Sequence, residues 1–276
     1  LVRGGGDLAT GTIHRLWSAG LRVLVLEAEH PAAIRRQVAL SEAVYAGSAR
    51  VEDVEAVRMD VDLAEKKNRK ELLEQEMERI WKKDGVPVLV DPAGLSIAAL
   101  RPAVVVDAIL AKKNLGTTIR DAKIVIGVGP GFTAGADCHC VVETKRGHDL
   151  GRVLWKGSAV PNTGVPGMIG GYAKERIIRA SGDGIFKGMC RIGDLVEKGQ
   201  LVGMAGENPI YAEIPGVVRG LLQDGVPVKM GMKSGDIDPR AVVGSCYTVS
   251  DKARAIGGGV LEAILTLQTR ISRQEL

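Results

Sequence analysis

The segment RGGGDLATG places Gly4, Gly6 and Ala9 at the G-x-G-x-x-A spacing, with Gly5 between the first two. Glycines there let backbone amides approach a ligand, and a helix starting next adds unpaired N–H groups and the positive end of its dipole. An oxyanion such as phosphate is what such a turn serves. Glu27 closes the following apolar run LRVLVLEA, at the separation of about 20 residues where a carboxylate meets a ribose hydroxyl pair. A carboxylate there repels a 2′-phosphate, so a NAD-like or simple nucleoside ligand is favoured. Asp7 counts against a pyrophosphate, since two anions would face each other; a metal, a base or a substrate suits it better. The plainer account gives the glycines to close packing of helix on strand, with Asp7 and Thr10 as helix-start residues.

A second glycine cluster, GVGPGFTAGADCH at 127–139, follows the apolar run KIVIG. It is expected at the carboxyl edge of a parallel sheet, where open α/β folds bind ligands, as the opposite wall of one site. Gly129 and Gly131 permit close backbone approach, Pro130 stops the strand, and Thr133, Asp137 and His139 supply polar groups. A flexible connector between domains is the alternative. The stretch DCHCVVETKRGHD also holds Cys138, Cys140, Glu143, His148 and Asp149. In a strand Cys138 and Cys140 point to one face and His139 to the other, so the three cannot share a tetrahedral site and no metal is assigned. His139 or His148 is then a candidate proton carrier. Asp7, Asp137 and His139 are the catalytic candidates. Arg3, Arg35, Arg36, Lys112 and Lys113 could clamp phosphate or carboxylate, although the lysines equally suit the C-terminus of a short helix. Asp91 and Asp107 each end an apolar strand, and one of them is expected to cap a helix.

These residues need a frame. LVR, LRVLVLEA, VPVLVD (86–91), AVVVD (103–107) and KIVIGVG (123–129) read as buried strands. The segment 63–83 carries Leu73, Met77, Ile80 and Trp81 on one helical stripe, with Gly85 at its end. The alternation predicts an α/β fold: a Rossmann-like parallel sheet over 1–137, then a β-rich region over 138–276. Within the latter, GDLVEKGQLVGMAGE and GVPVKMGMKSGDID are weakly similar, each an apolar strand pair hinged on a glycine turn. Residues of about 177–238 thus resemble a barrel-sandwich hybrid of the biotinyl and lipoyl type. The tip AGENPIYAE lacks the lysine such carriers modify, so no covalent biotin or lipoyl group is expected. A helix is predicted over 252–270 despite Gly257, Gly258 and Gly259, which close packing against another backbone would explain.

The 276 residues carry 37 basic and 33 acidic side chains, a formal charge of +4, without the basic stripe that nucleic-acid binding favours. Four cysteines without CxxC pairs suit a reducing cytoplasm, and no apolar run is long enough to span a bilayer. The opening strand is short, and a few residues before Leu1 are expected. A homodimer is expected only from the prevalence of two-fold association.

RGGGDLATG, PAAIRRQVALSEAVYAG, VLVDP, VVVDAILAKKNLGT, GVGPGFTAGADCH, VVETKRGHDLGRV, GDIDPR and SDKARAIGGGVLEAIL fall in one order along nearly the whole chain. Together they resemble the YqeB-type accessory proteins of selenium-dependent molybdenum hydroxylase systems. Where Cys140 stands, that family's usual form carries a small residue, which weakens any metal site needing this thiol. The resemblance implies a maturation factor for a hydroxylase of the xanthine dehydrogenase or purine hydroxylase type. It is similar in spirit to XdhC-type proteins, which pair a Rossmann domain with handling of molybdenum cofactor. The client hydroxylase is then the expected partner, and molybdopterin cytosine dinucleotide stands beside NAD as an expected ligand. A NAD-dependent oxidoreductase using His139 or Lys112 as acid and base, and a non-catalytic assembly scaffold, remain open alternatives.

Overall fold

The computed structural model describes residues 1–274 apart from 62, 64–67, 163, 165 and 166. The chain divides into two compact units. Leu1–Pro31, Leu40–Asn162 and Val249–Leu276 form the first, and Ala32–Ala39 with Thr163–Thr248 the second. The expected boundary at 137/138 does not coincide with this division, because the chain after 139 adds strands to the first sheet and the last helix packs there.

In the first unit β1 (Val2–Arg3) leads into α1 (Asp7–Ser18) and β2 (Val25–Glu27). Then come α2 (Ala43–Ala46), β3 (Ser48–Val51), β4 (Val54–Arg58), α3 (Arg69–Trp81), β5 (Val86–Val90), α4 (Leu95–Leu100), β6 (Val104–Asp107) and β7 (Ile124–Val128). The short β8 (Thr133–Ala134), β9 (Cys140–Val142), β10 (Val153–Leu154) and β11 (Gly157–Ser158) follow, and α5 (Asp251–Ser272) is the last element. Nine of these strands form one sheet in the order β10-β9-β7-β6-β1-β2-β5-β4-β3. Its strands from β9 to β4 run parallel, with antiparallel β10 and β3 at the edges. The fold is mixed α/β.

The continuous apolar character of VPVLV and IVIGV has the cause expected for parallel strands: both faces are covered. Leu73, Met77 and Ile80 of α3 join Leu24, Leu26, Leu89, Val105 and Val125 in one core. Val25, Val88, Val106 and Ile126 alternate with these and are buried on the other face. There α5 crosses β9, with Gly259 against Val142. The expected helix over 63–83 is observed from Arg69; its positions 64–67 lie outside the described residues. Residues 108–114 are not helical, since Leu110 and Lys112 both occupy the left-handed region. Sequence periodicity also passed over the β3–β4 hairpin, turned at Glu52 and Asp53.

The second unit holds β12 (Ile177–Arg179), β13 (Gly184–Gly188), β14 (Leu195–Val196), β15 (Leu201–Ala205), β16 (Asn208–Tyr211), β17 (Gly216–Leu221), β18 (Pro227–Val228) and β19 (Lys233–Asp238). They make two four-stranded antiparallel sheets, β12-β19-β17-β14 and β16-β15-β13-β18, around a core centred on Phe186, Val202, Val217, Leu221 and Ile237. The two similar segments are not hairpins. Each changes sheet at its turn, β14 to β15 near Gly199 and β18 to β19 near Gly231, so β14 does not pair with β15, nor β18 with β19.

Two of the three helical glycines of α5 are explained by backbone approach. A Cβ on Gly257 would lie 2.5 Å from the Gly11 carbonyl oxygen of α1, and one on Gly259 would lie 2.1 Å from that of Gly151, while Gly258 faces open space. Gly259→Ala should therefore lower unfolding stability by about 2–3 kcal/mol through overpacking. Gly258→Ala should raise it by up to about 1 kcal/mol through helix propensity. Denaturant midpoints of the two variants test the contrast, and equal signs would refute it.

Candidate functional site at the carboxyl edge of the sheet

Parallel β1, β2, β5, β6, β7 and β9 deliver their last residues to one edge. Gly4, with φ of 96°, turns the chain there, and a Cβ on it would lie 3.0 Å from the Ala108 carbonyl oxygen. The Gly5 N–H donates to Glu27 Oε2 at 2.6 Å, and the Ala28 N–H donates to Oε1 at 2.7 Å. Burial raises the Glu27 carboxyl above its usual range, against the two N–H bonds that favour its charge. On its other side the Gly5 carbonyl accepts from Ser41 N at 2.9 Å and Thr10 Oγ1 at 3.1 Å, and Thr10 Oγ1 accepts from Leu40 N at 3.0 Å. Gly5, Thr10 and Glu27 are thus engaged with one another and with residues 40–41. Gly6 differs: it heads α1 without a side-chain cap, and open space lies where its Cβ would be. The first N–H groups of the helix have no acceptor within it.

Arg3 does not line this opening. It is buried, donating from Nη1 to Thr117 Oγ1 at 2.5 Å and from Nη2 to the Pro92 carbonyl at 3.3 Å. Thr117 Oγ1 in turn donates to Asp107 Oδ2 at 2.6 Å, which lies 3.6 Å from the guanidinium. Asp91 is the helix cap expected of one of this pair, accepting from Leu95 N, Ser96 N and Ser96 Oγ.

The second glycine cluster reaches the same edge only with Gly129 and Gly131. Both have positive φ; Gly129 abuts Thr144, and Gly131 lies against the Lys113 backbone. The chain then doubles back, with Phe132 packed on Gly127. Thr133, Asp137 and His139 therefore do not form the opposite wall. Thr133 N donates to Asp137 Oδ2 at 2.7 Å within the return turn. His139 lies beside Val125, three residues or about 10 Å short of the strand end, its Nδ1 accepting the Val125 N–H at 3.0 Å. That bond needs a bare Nδ1, and burial lowers the imidazole pKa. The thiols part company too, because β9 begins only at Cys140. Cys138 joins the core beside Phe132 and Val141, whereas Cys140 faces the charges of Arg270 and Glu262. Burial pushes the two up to about 11 and about 12, so both stay protonated. Among the described residues no group of three or more His, Cys, Asp or Glu is set to hold a metal ion.

Arg35 and Arg36 belong to the second unit. Arg35 donates to the Ser245 carbonyl at 3.1 Å, and Arg36 to the Leu221 carbonyl at 2.7 Å and to Gln223. Lys112 and Lys113 are exposed on the loop after β6.

Two more residues stand at the edge: Glu143, read from the sequence only among possible metal ligands, and Lys252, read only as the start of a helix. Glu143, buried at the end of β9, accepts from Thr144 N, Lys145 N and Val160 N. Lys252 stands in the first turn of α5, within the fields of Asp7, Glu143 and Asp251. A lysine where a helix dipole disfavours cations is a signal the sequence does contain.

The chain is 48% identical over 267 residues to a protein of Escherichia coli strain K12 titled "Uncharacterized protein YqeB", which covers 97% of this chain. That similarity supports the YqeB-type name for the resemblance. The chain spans 47% of the relative's length. No protein-family model matches. Among solved structures, an aspartoacylase family protein from Mesorhizobium loti is 11% identical, covering 82% of this chain and 59% of its own, with a TM-score of 0.24. The succinylglutamate desuccinylase/aspartoacylase of Rhodobacter sphaeroides is 12% identical over 86% of each chain, with a TM-score of 0.23. Likenesses this slight carry no argument.

Burial lowers the Lys252 pKa, aided by the Arg146 cation and opposed by Asp7, Glu143 and Asp251. The unfolded lysine titrates near 10.4, so the folded chain gives up this proton first and stability rises with pH across the interval. The penalty is complete below the folded value. Lys252→Met should raise the denaturation midpoint at pH 7.5, and its advantage should shrink as pH approaches about 10.5. A midpoint below that of the parent at pH 7.5 would contradict the burial argument.

Proposed function

We propose that this chain is an accessory protein of a selenium-dependent molybdenum hydroxylase system. In this reading a Rossmann-like first unit holds a nucleotide, or the nucleotide portion of molybdenum cofactor, at the carboxyl edge of its sheet. The observation that carries the proposal is the entry into α1: Gly6 opens outward at the head of a helix fed by a central parallel strand. The similarity to YqeB over 97% of the chain supports the YqeB-type name, and the choice of system is what the resemblance to that family implies. Such a ligand fits the free side of the turn, where the amides of the first helical turn would meet a phosphate and Lys252 would offset Asp7. The second unit serves as a recognition module of hybrid type for the client hydroxylase.

A scaffold that binds no nucleotide is the second reading, and one contact favours it: the carboxylate of Glu27 already occupies the Gly5 N–H at 2.6 Å. The oxidoreductase reading rests on His139 or Lys112 as acid and base: His139 accepts the Val125 N–H through Nδ1, and Lys112 is exposed on the loop after β6.

Thermal melts with NAD, AMP, CMP and molybdopterin cytosine dinucleotide separate these readings. A ligand at a hundredfold its Kd should add about 2.7 kcal/mol of stability. Gly6→Val should abolish that shift while leaving the unliganded midpoint near the parent's, since the new side chain points into open space. No shift with any of the four would leave the scaffold reading standing.

A further inference from the structure

The second unit contains a polar cleft of about 500 Å³ that the nucleotide reading does not use. This volume suits a small molecule. Arg36 forms one wall with its guanidinium already oriented, since Nε donates to the Leu221 carbonyl at 2.7 Å and Nη1 donates to Gln223 Oε1. With its carbonyl oxygen taken, Gln223 has its amide NH₂ left to donate. Tyr247 is fixed as a second wall: its hydroxyl donates to the Ile192 carbonyl at 3.0 Å, and the ring lies over Gly193, where any Cβ would strike the hydroxyl oxygen. Asp224 brings the lining's one carboxylate, and its Oδ1 accepts the Gly188 N–H at 2.8 Å. Gln37 and Arg191 complete the polar lining from exposed positions, with their side-chain donors turned to no described residue.

The lining thus sets two guanidinium cations and two amides against one carboxylate that already has a donor. Its surplus is positive charge and N–H groups, the complement of a compact, multiply charged oxyanion. We propose that this cleft is a binding site for a ligand carrying adjacent phosphate groups, gripped between Arg36 and Arg191. The inference is independent of the nucleotide reading, whose residues lie in the first unit.

Titration calorimetry of the full chain with inorganic pyrophosphate tests it. Saturable binding is expected in the parent and equally in Gly6→Val, with affinity falling as salt is raised. Arg191→Ala should weaken it by roughly tenfold or more while leaving the thermal midpoint of the unliganded protein unchanged, because the residue is exposed. Absence of saturable binding would overturn the proposal, as would parental affinity in Arg191→Ala. Binding lost in Gly6→Val and kept in Arg191→Ala would place the anion in the first unit and overturn it equally.

Discussion

The first unit depends on one close approach, the crossing of α1 and α5 with backbone against backbone. A Cβ on Gly11 would lie 2.5 Å from that of Ala253, and Gly257 meets the Gly11 carbonyl at a similar distance. Side chains of ordinary size at these positions would hold two helices apart at about 8–10 Å. Their absence lets helices from opposite ends of the chain settle on one face of the sheet. Both begin at the same end, so the first turn of α5 brings Lys252 into the field of Asp7. The third glycine contact, Gly259 on Gly151, ties the same helix to the loop between β9 and β10. Ser250 caps α5 from Oγ to the Ala253 N–H, and Glu52, at the tip of the β3–β4 hairpin, accepts from Val249 N and Arg254. Remote segments thus converge on the start of this helix, and the charge around the glycine turn follows from where it lies.

A second regularity runs along the carboxyl edge. Glu27, Asp91, Asp107 and Glu143 each stand at or just beyond the end of a parallel strand, and each spends its carboxylate on backbone N–H groups of the chain that follows. Glu27 takes Ala28, Asp91 takes Leu95 and Ser96, Asp107 takes Ile109, and Glu143 takes Thr144 and Lys145. A strand of a parallel sheet ends by releasing its chain into a loop whose amides lack ladder partners, and buried amides without acceptors are costly. An acid at the last strand position supplies an acceptor locally. Sequence spacing alone reads such an acid as a ribose ligand; the structure shows the same carboxylate building the loop, with Glu27 also reaching back to Gly5.

Much of the frame was legible because burial on both faces writes a continuous apolar run. β5, β6 and β7 lie within the runs read at 86–91, 103–107 and 123–129, and Leu73, Met77 and Ile80 were recognisable from their stripe. The candidate site was legible only at its first turn. His139 was assigned to the ligand edge because Gly129 and Gly131 are there, but the direction of the chain between them is set by Phe132 folding onto Gly127. No periodicity records that contact. Arg35 and Arg36 follow β2 closely in sequence, yet Ala32–Ala39 is part of the second unit, held by bonds to residues some 185–213 positions later. Spacing rules describe neighbours within one element, and these residues take their places from partners outside it.

The conflict between Asp7 and an incoming phosphate is eased by the same geometry. An acid in the first turn of α1 complements the helix dipole, which favours its presence whether or not a ligand binds. Taken alone it would repel an oxyanion approaching the amides beside it. Lys252 alters that balance, because its ammonium is held in a partly buried position where charge interactions are screened less than in open water. The two sides of the glycine turn then divide the work. The Gly5 side is closed by Glu27 and residue 41, an anion and a backbone supplied by the protein itself. The Gly6 side stays open, with the amides of the first helical turn, one carboxylate and one cation. A ligand meeting the turn there need not displace Glu27, so the contact that most favours a closed scaffold and the opening that most favours binding can exist in one fold.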